Sequence, residues 1–184
     1  DYDGALETMQ VVASLVKRAY PAVHREVGTT NHNIASIYMD KGEPATSLPY
    51  YDRAIEVREQ IHGSEHTYVA NSLTGKGRAL LDLARVGEAL PLLERAQRIR
   101  ADTDSLARDA AQTEFALARA LARSGRDSAR AHALAVAARE RLEAQGGDEL
   151  AAAHIREIDA WLAARDGRPT PPTVATVESS SSPE

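Results

Sequence analysis

SLPYYDRAIEVREQ, from Ser47 to Gln60, and ALPLLERAQRIRAD, from Ala89 to Asp102, are two versions of one helix. The interval between them is 42 residues, and it recurs elsewhere. Leu6, Leu48 and Leu90 are spaced by it, as are Pro49 and Pro91, Tyr51 and Leu93, and Ala54, Ala96 and Ala138. His24 pairs with His66 and Tyr38 with Leu80 at the same step. So many series in one register indicate an internal duplication. Within a unit, Leu48, Tyr51 and Ile55 recur at steps of three and four residues, which places them on one helical face. No stretch alternates as a strand does. The spacing predicts helices over about 3–20, 24–41, 45–62, 66–83, 86–102, 105–124, 127–145 and 148–166. The connections are short, so neighbouring helices should run antiparallel.

Punctuation supports this division. Pro44 suits the first turn of a helix, where its missing N–H costs nothing. Gly63 and Gly146 suit the ends of helices, and Thr103, Asp104 or Ser105 could cap the start of the next. Pro49 and Pro91 fall early in their helices, where each removes one backbone bond and can bend the axis.

Composition narrows the function classes. Hydrophobic residues make up 43% of the 184, enough for a core, but aromatics are only 4%, so Ala, Leu, Ile and Val must fill it. The formal charge of −5 gives no footprint for nucleic acid, and few aromatics leave little for base stacking. No apolar run approaches the roughly 20 residues that span a bilayer. The absence of Cys excludes disulfides, thiolate catalysis and Cys-ligated zinc. With no basic-then-apolar leader, a cytoplasmic setting is expected. The chain opens at Asp1 rather than Met, and the expectation is a piece of a longer protein.

The stretches NIASIYMDKGEPATSLPYYDRAIEVREQIHGSEHTYVA and ALLDLARVGEALPLLERAQRIR resemble the tetratricopeptide repeat family in its 42-residue, kinesin-light-chain-like bacterial form. Ile34, Ala35, Tyr38, Ser47, Tyr51 and Ala54 stand where that family has its packing residues, and Gly77, Leu80, Ala89, Leu93 and Ala96 do so in the next unit. The resemblance implies an all-α fold, a right-handed α-solenoid of tandem antiparallel helix pairs closed by a C-terminal capping helix. Residues 1–20 would be the second helix of a truncated half repeat. Units would follow at 24–62 and 66–102, with a degenerate one at 105–145. The cap would be 148–166, with Leu150, Ile155, Ile158, Trp161 and Leu162 as its apolar positions. This Ala- and Arg-rich end resembles repeat regions attached to some bacterial serine/threonine kinases. From 167 to 184 the Pro, Ser and Thr content predicts an extended or disordered tail.

Candidate chemistry is sparse. HGSEH places His62 and His66 at a spacing that would suit a metal on one helix, but Gly63 and Ser64 between them predict a turn. TGKGR, from Thr74 to Arg78, lacks the spacing of a phosphate loop and falls inside a predicted helix, where Gly75 and Gly77 would permit close packing. Asp102, Asp104, Asp109 and Glu114 read as a solvated face. No catalytic residue, metal or cofactor is implied, so an enzyme is the least supported class.

The family resemblance instead directs attention to the inner face of the solenoid. It maps there Thr29, His32, Asn33, Ser36 and Met39 in the first unit, Asn71, Thr74, Arg78 and Leu81 in the second, and Gln112, Phe115 and Arg119 in the third. Asn33 matches a family asparagine that holds peptide backbone. Short polar groups would bond a backbone, the two arginines would prefer acidic residues, and Met39 and Phe115 would anchor apolar ones. The expected function is non-catalytic protein–protein binding of a peptide segment. The alternative is a spacer or dimerisation module of a signalling protein such as a kinase, with the half repeat at 1–20 as its homodimer contact. The tail could also occupy the groove of its own chain.

Overall fold

The computed structural model describes residues 2–103, 105–146 and 148–166. Among these the chain forms eight helices and no strand: α1 Tyr2–Ala19, α2 Arg25–Asp40, α3 Pro44–His62, α4 Thr67–Asp82, α5 Val86–Ala101, α6 Ala107–Arg123, α7 Ser128–Ala144 and α8 Glu149–Asp166. Consecutive helices pack on one another, and α4 also touches both α2 and α6. The fold is an all-α array of helix pairs in which α2, α4 and α6 are the first helices and α3, α5 and α7 the second. None of the described helices is long and apolar enough to cross a membrane. The residues read as a tail, 167–184, lie outside the described residues, as do Asp1, Asp104 and Gly147.

The turn inside each pair is written by one backbone device. Gly42, Ala84 and Gly125 have φ of 81°, 59° and 68°. Next to them, the N–H of Glu43 reaches the Tyr38 carbonyl at 2.8 Å, that of Arg85 reaches Leu80 at 2.8 Å, and that of Arg126 reaches Leu121 at 3.2 Å. These bonds close the last carbonyls of each first helix in Schellman fashion. Ala84 does with a Cβ what its counterparts do without one.

Helix starts differ from expectation. The paired histidines are caps: Nδ1 of His24 accepts from the Glu26 N–H at 3.2 Å, and that of His66 from Tyr68 at 3.1 Å. Neither Thr103 nor Ser105 caps α6. Its N-cap is Leu106, with no side-chain bond. Thr103 instead turns back and donates to the Ile99 carbonyl at 2.7 Å, sealing the end of α5. Pro44 is the first residue of α3, while Pro49 and Pro91 sit inside α3 and α5 without ending either.

The core follows the repeat. Ala54, Ala96 and Ala138 are all fully buried, which lets the helix axes approach. Leu80, Leu90, Leu93, Leu117 and Leu121 fill the layer between α4 and α7. At the C-terminal end, Trp161 of α8 meets Phe115 edge-on, with centroids 5.8 Å apart. Ile158 is buried beside it, whereas Leu150, expected on the same face, is 53% exposed at the start of α8. Gly75 and Gly77 are packing glycines, as the helix reading requires. A Cβ on Gly75 would collide with the hydroxyl-bearing edge of the Tyr51 ring, and one on Gly77 would lie 2.6 Å from Leu93.

Candidate binding cleft

Three first helices standing side by side create a cleft of about 100 Å³. α2 contributes His32 and Ser36, α4 contributes Asn71, Thr74, Gly75 and Arg78, and α6 contributes Asp109 and Gln112. Tyr51 and Arg100 reach it from α3 and α5. The glycine at 75 allows the Tyr51 ring to approach, and the Tyr51 hydroxyl lies 3.4 Å from Ser36 Oγ.

Buried arginines brace the wall from behind. Arg58 and Arg100 occupy the same position in successive second helices, 42 residues apart, and are only 8% and 9% exposed. Arg58 donates to Ser72 Oγ at 2.7 Å and to the Tyr68 carbonyl at 2.8 Å. His32 Nδ1 sits 3.3 Å from the same hydroxyl. One unit later, Arg100 donates to Thr113 Oγ1 at 2.8 Å and to Asn71 Oδ1 at 2.5 Å, and Thr74 Oγ1 stands 2.8 Å from Thr113. Each guanidinium thus joins its own unit to the first helix of the next. A buried charge is tolerated because hydrogen bonds replace water. Arg100 Nη1 has no hydrogen-bond partner, but Asp109 Oδ2 is 3.9 Å away. The third unit has Leu142 at this position, fully buried against α8 in an apolar seam.

Burial sets the protonation of the cleft. Desolvation, with the nearby Arg58 charge, pushes His32 down to about 3, so it is neutral at physiological pH. Desolvation also lowers Arg58 to about 10, still a cation, and raises the Tyr51 hydroxyl. Arg78 makes no hydrogen bond or ion pair among the described residues and lines the cleft.

The twelve residues mapped to the inner face by sequence do not share one surface. His32, Ser36, Asn71, Thr74, Arg78 and Gln112 line the cleft. Thr29 belongs to a neighbouring groove with Arg25, Arg58 and His62. Asn33 is exposed and Met39 half-buried, both outside the cleft. Leu81 is fully buried and Phe115 is 8% exposed, so both are core residues rather than anchors for a ligand. Their helices are turned at these points to face α5, α7 and α8. Arg119 is already engaged, with Asp82 at 3.3 Å and Glu157 at 3.8 Å, and lies over the Phe115 ring. Sequence reasoning missed Arg100, and it read Asp109 as part of a solvated face. The 42-residue step from Arg58 to Arg100 was the available signal. Glu114, also read as solvated, is largely buried and paired to Arg141 at 2.8 Å.

His62 ends α3 and stacks on the His66 cap at 4.5 Å, which is a turn rather than a metal site. The described residues contain no cluster of three metal-ligating side chains.

A tetratricopeptide repeat family model matches residues 26–102. Over those residues the chain matches tetratricopeptide repeats. The array is similar in fold to solved repeat proteins. With BtubC (BKLC) from P. vanneervenii it shares a TM-score of 0.69 at 22% identity, covering 80% of this chain and 59% of that one. The chain thus spans less than two thirds of that protein's length. With a putative kinesin light chain of Podosopora anserina, built of nearly identical TPR-like repeats, the TM-score is 0.65 at 18% identity, covering 90% and 81% of the two chains. A point-substituted form of that protein gives 0.63 at 19%, covering 90% and 89%. A search of curated proteins finds no match. Tetratricopeptide repeats generally mediate contacts between proteins.

Proposed function

We propose that this repeat array is a non-catalytic interaction module that holds an extended segment of a partner protein against its first helices. Arg78 receives an acidic side chain of that segment. The observation that carries the reading is the contrast among arginines. Arg58, Arg100 and Arg119 are engaged by residues of the array, whereas Arg78 stands in a polar cleft with no ion pair among the described residues. Asn71 and Gln112 supply amides beside it for a peptide backbone. Neutral His32 adds no competing charge. Titration of matched acidic and basic peptides tests this. Arg78→Glu should reverse the preference from acidic to basic sequences, and an unchanged preference refutes the assignment.

A second reading is architectural: a spacer or dimerisation module within a signalling protein such as a serine/threonine kinase. One observation favours it. Val11 and Leu15 on α1 are 59% and 54% exposed. A concentration-dependent dimer in light scattering, lost in Val11→Glu, would support this reading, and a monomer at all concentrations would remove its dimer arm.

A further inference from the structure

The junction between α1 and α3 departs from the one that follows it. At the α3–α5 junction, Arg95 ties the two helices together. Its Nη2 donates to the Ser64 carbonyl at 2.8 Å and pairs with Glu59 at 2.7 Å. Arg53, 42 residues earlier, makes the equivalent bond to the Ala22 carbonyl at 2.8 Å. The residue in register with Glu59, however, is Lys17. Two cations cannot close the seam. Arg53 turns its Nη1 to Glu56 on its own helix at 2.6 Å, and Lys17 stays exposed with no ion pair among the described residues. The packing is thinner at the same place, since Ala13 and Val16 stand in register with the larger Ile55 and Arg58.

What remains is an open groove of about 530 Å³. Ala13, Val16, Tyr20 and Val27 give it apolar walls, and Lys17 and Arg53 supply cations at its side. A groove of this size is within the range of pockets that bury a ligand. It shares no residue with the cleft around Arg78 and does not depend on the reading of that cleft. We propose that it docks a short partner segment whose apolar side chains are flanked by carboxylates. The apolar walls gain from covering, and the carboxylates give Lys17 the opposite charge that Glu56 already gives Arg53.

The test uses the full chain and a fluorescein-labelled 12-residue peptide with leucines at helical spacing and glutamates elsewhere. Its counterpart carries lysines in place of the glutamates. Anisotropy should show the acidic peptide binding at least about tenfold more tightly than the basic one. Lys17→Glu supplies the missing carboxylate to Arg53, and Ala13→Trp fills the groove. Each should weaken the acidic peptide by about tenfold or more. In Lys17→Glu the helical signal and thermal midpoint should hold or rise, because the change copies the closed Glu59–Arg95 seam. Amide shifts on binding should centre on Ala13, Val16, Tyr20 and Val27. The proposal is overturned by equal binding to Lys17→Glu, by equal binding of the two peptides, or by no binding to the unaltered chain. Shifts confined to the neighbourhood of Arg78 overturn it as well. So does a dimer dispersed by Lys17→Glu, which would assign the groove to a second copy.

Discussion

Gly77 and Gly87 offer one substitution with two opposite outcomes. Gly77 lies inside α4, and Gly87 lies in the first turn of α5. A Cβ on Gly87 meets nothing within 4 Å, whereas one on Gly77 lies 2.6 Å from both Cγ and Cδ2 of Leu93. Replacing a helical glycine by alanine in open space removes backbone entropy from the unfolded chain and stabilises by roughly 0.5–1 kcal/mol. Gly87→Ala should show that gain. At Gly77 the same gain is set against an overlap of about 1 Å with a side chain that is fully buried. Overpacking of this kind costs about 1–3 kcal/mol, so Gly77→Ala should be destabilising by roughly 0.5–2 kcal/mol. Leu93→Ala alone should cost about 2–5 kcal/mol through the cavity it leaves. The pair Gly77→Ala with Leu93→Ala should cost less than the sum, because the smaller residue vacates the space that the new methyl needs. Urea unfolding followed by helical circular dichroism measures all four variants. If Gly77→Ala stabilised the chain as Gly87→Ala does, or if the two changes simply added, the close approach of α4 and α5 would not be what the glycine is for.

Two further outcomes follow from particular residues. Because burial holds His32 near 3 in the folded chain against about 6.5 when unfolded, the unfolded state takes up the proton first as pH falls. The stability that neutral His32 provides is complete above about pH 6.5 and is lost on descending towards pH 3, by up to about 1.4 kcal/mol per pH unit. His32→Gln should flatten the profile of unfolding free energy between about pH 6 and pH 4.5, and parallel profiles for the two proteins would exclude His32 as the cause. Ala84 holds φ 59° where Gly42 and Gly125 serve in the neighbouring turns. Ala84→Gly should raise stability by roughly 1 kcal/mol in the same urea assay, and a loss would mean that the turn is not strained.

The helices were legible because their signals are local. Spacing of three and four residues marks a buried face wherever the chain lies, and the observed ends fall within about two residues of expectation for every helix. The caps were less legible. His24 and His66 stand as a matched pair in the sequence, but histidine is not an ordinary N-cap residue, so the pairing did not reveal the role. The residues mapped to the inner face part company in the structure. His32, Asn71, Thr74, Arg78 and Gln112 converge, while Leu81 and Phe115 turn into the core and Arg119 is drawn to α8.

From the sequence alone come the repeat, its 42-residue step, the helical pairing within it and the small residues that let helices approach, because each is a property of a residue and its near neighbours. Which charges are sheltered and which are free was decided by the tertiary structure. Arg58, Arg78, Arg100 and Arg119 are one residue type, yet only the stacking of successive units buries two, pairs a third and leaves Arg78 facing the cleft. The same holds for Lys17, which lines an open groove and stays exposed, whereas its counterpart Glu59 pairs with Arg95 one unit later. The physical reason is that a charge is stabilised by whatever replaces its water, and in a repeat array that replacement comes from the adjoining unit.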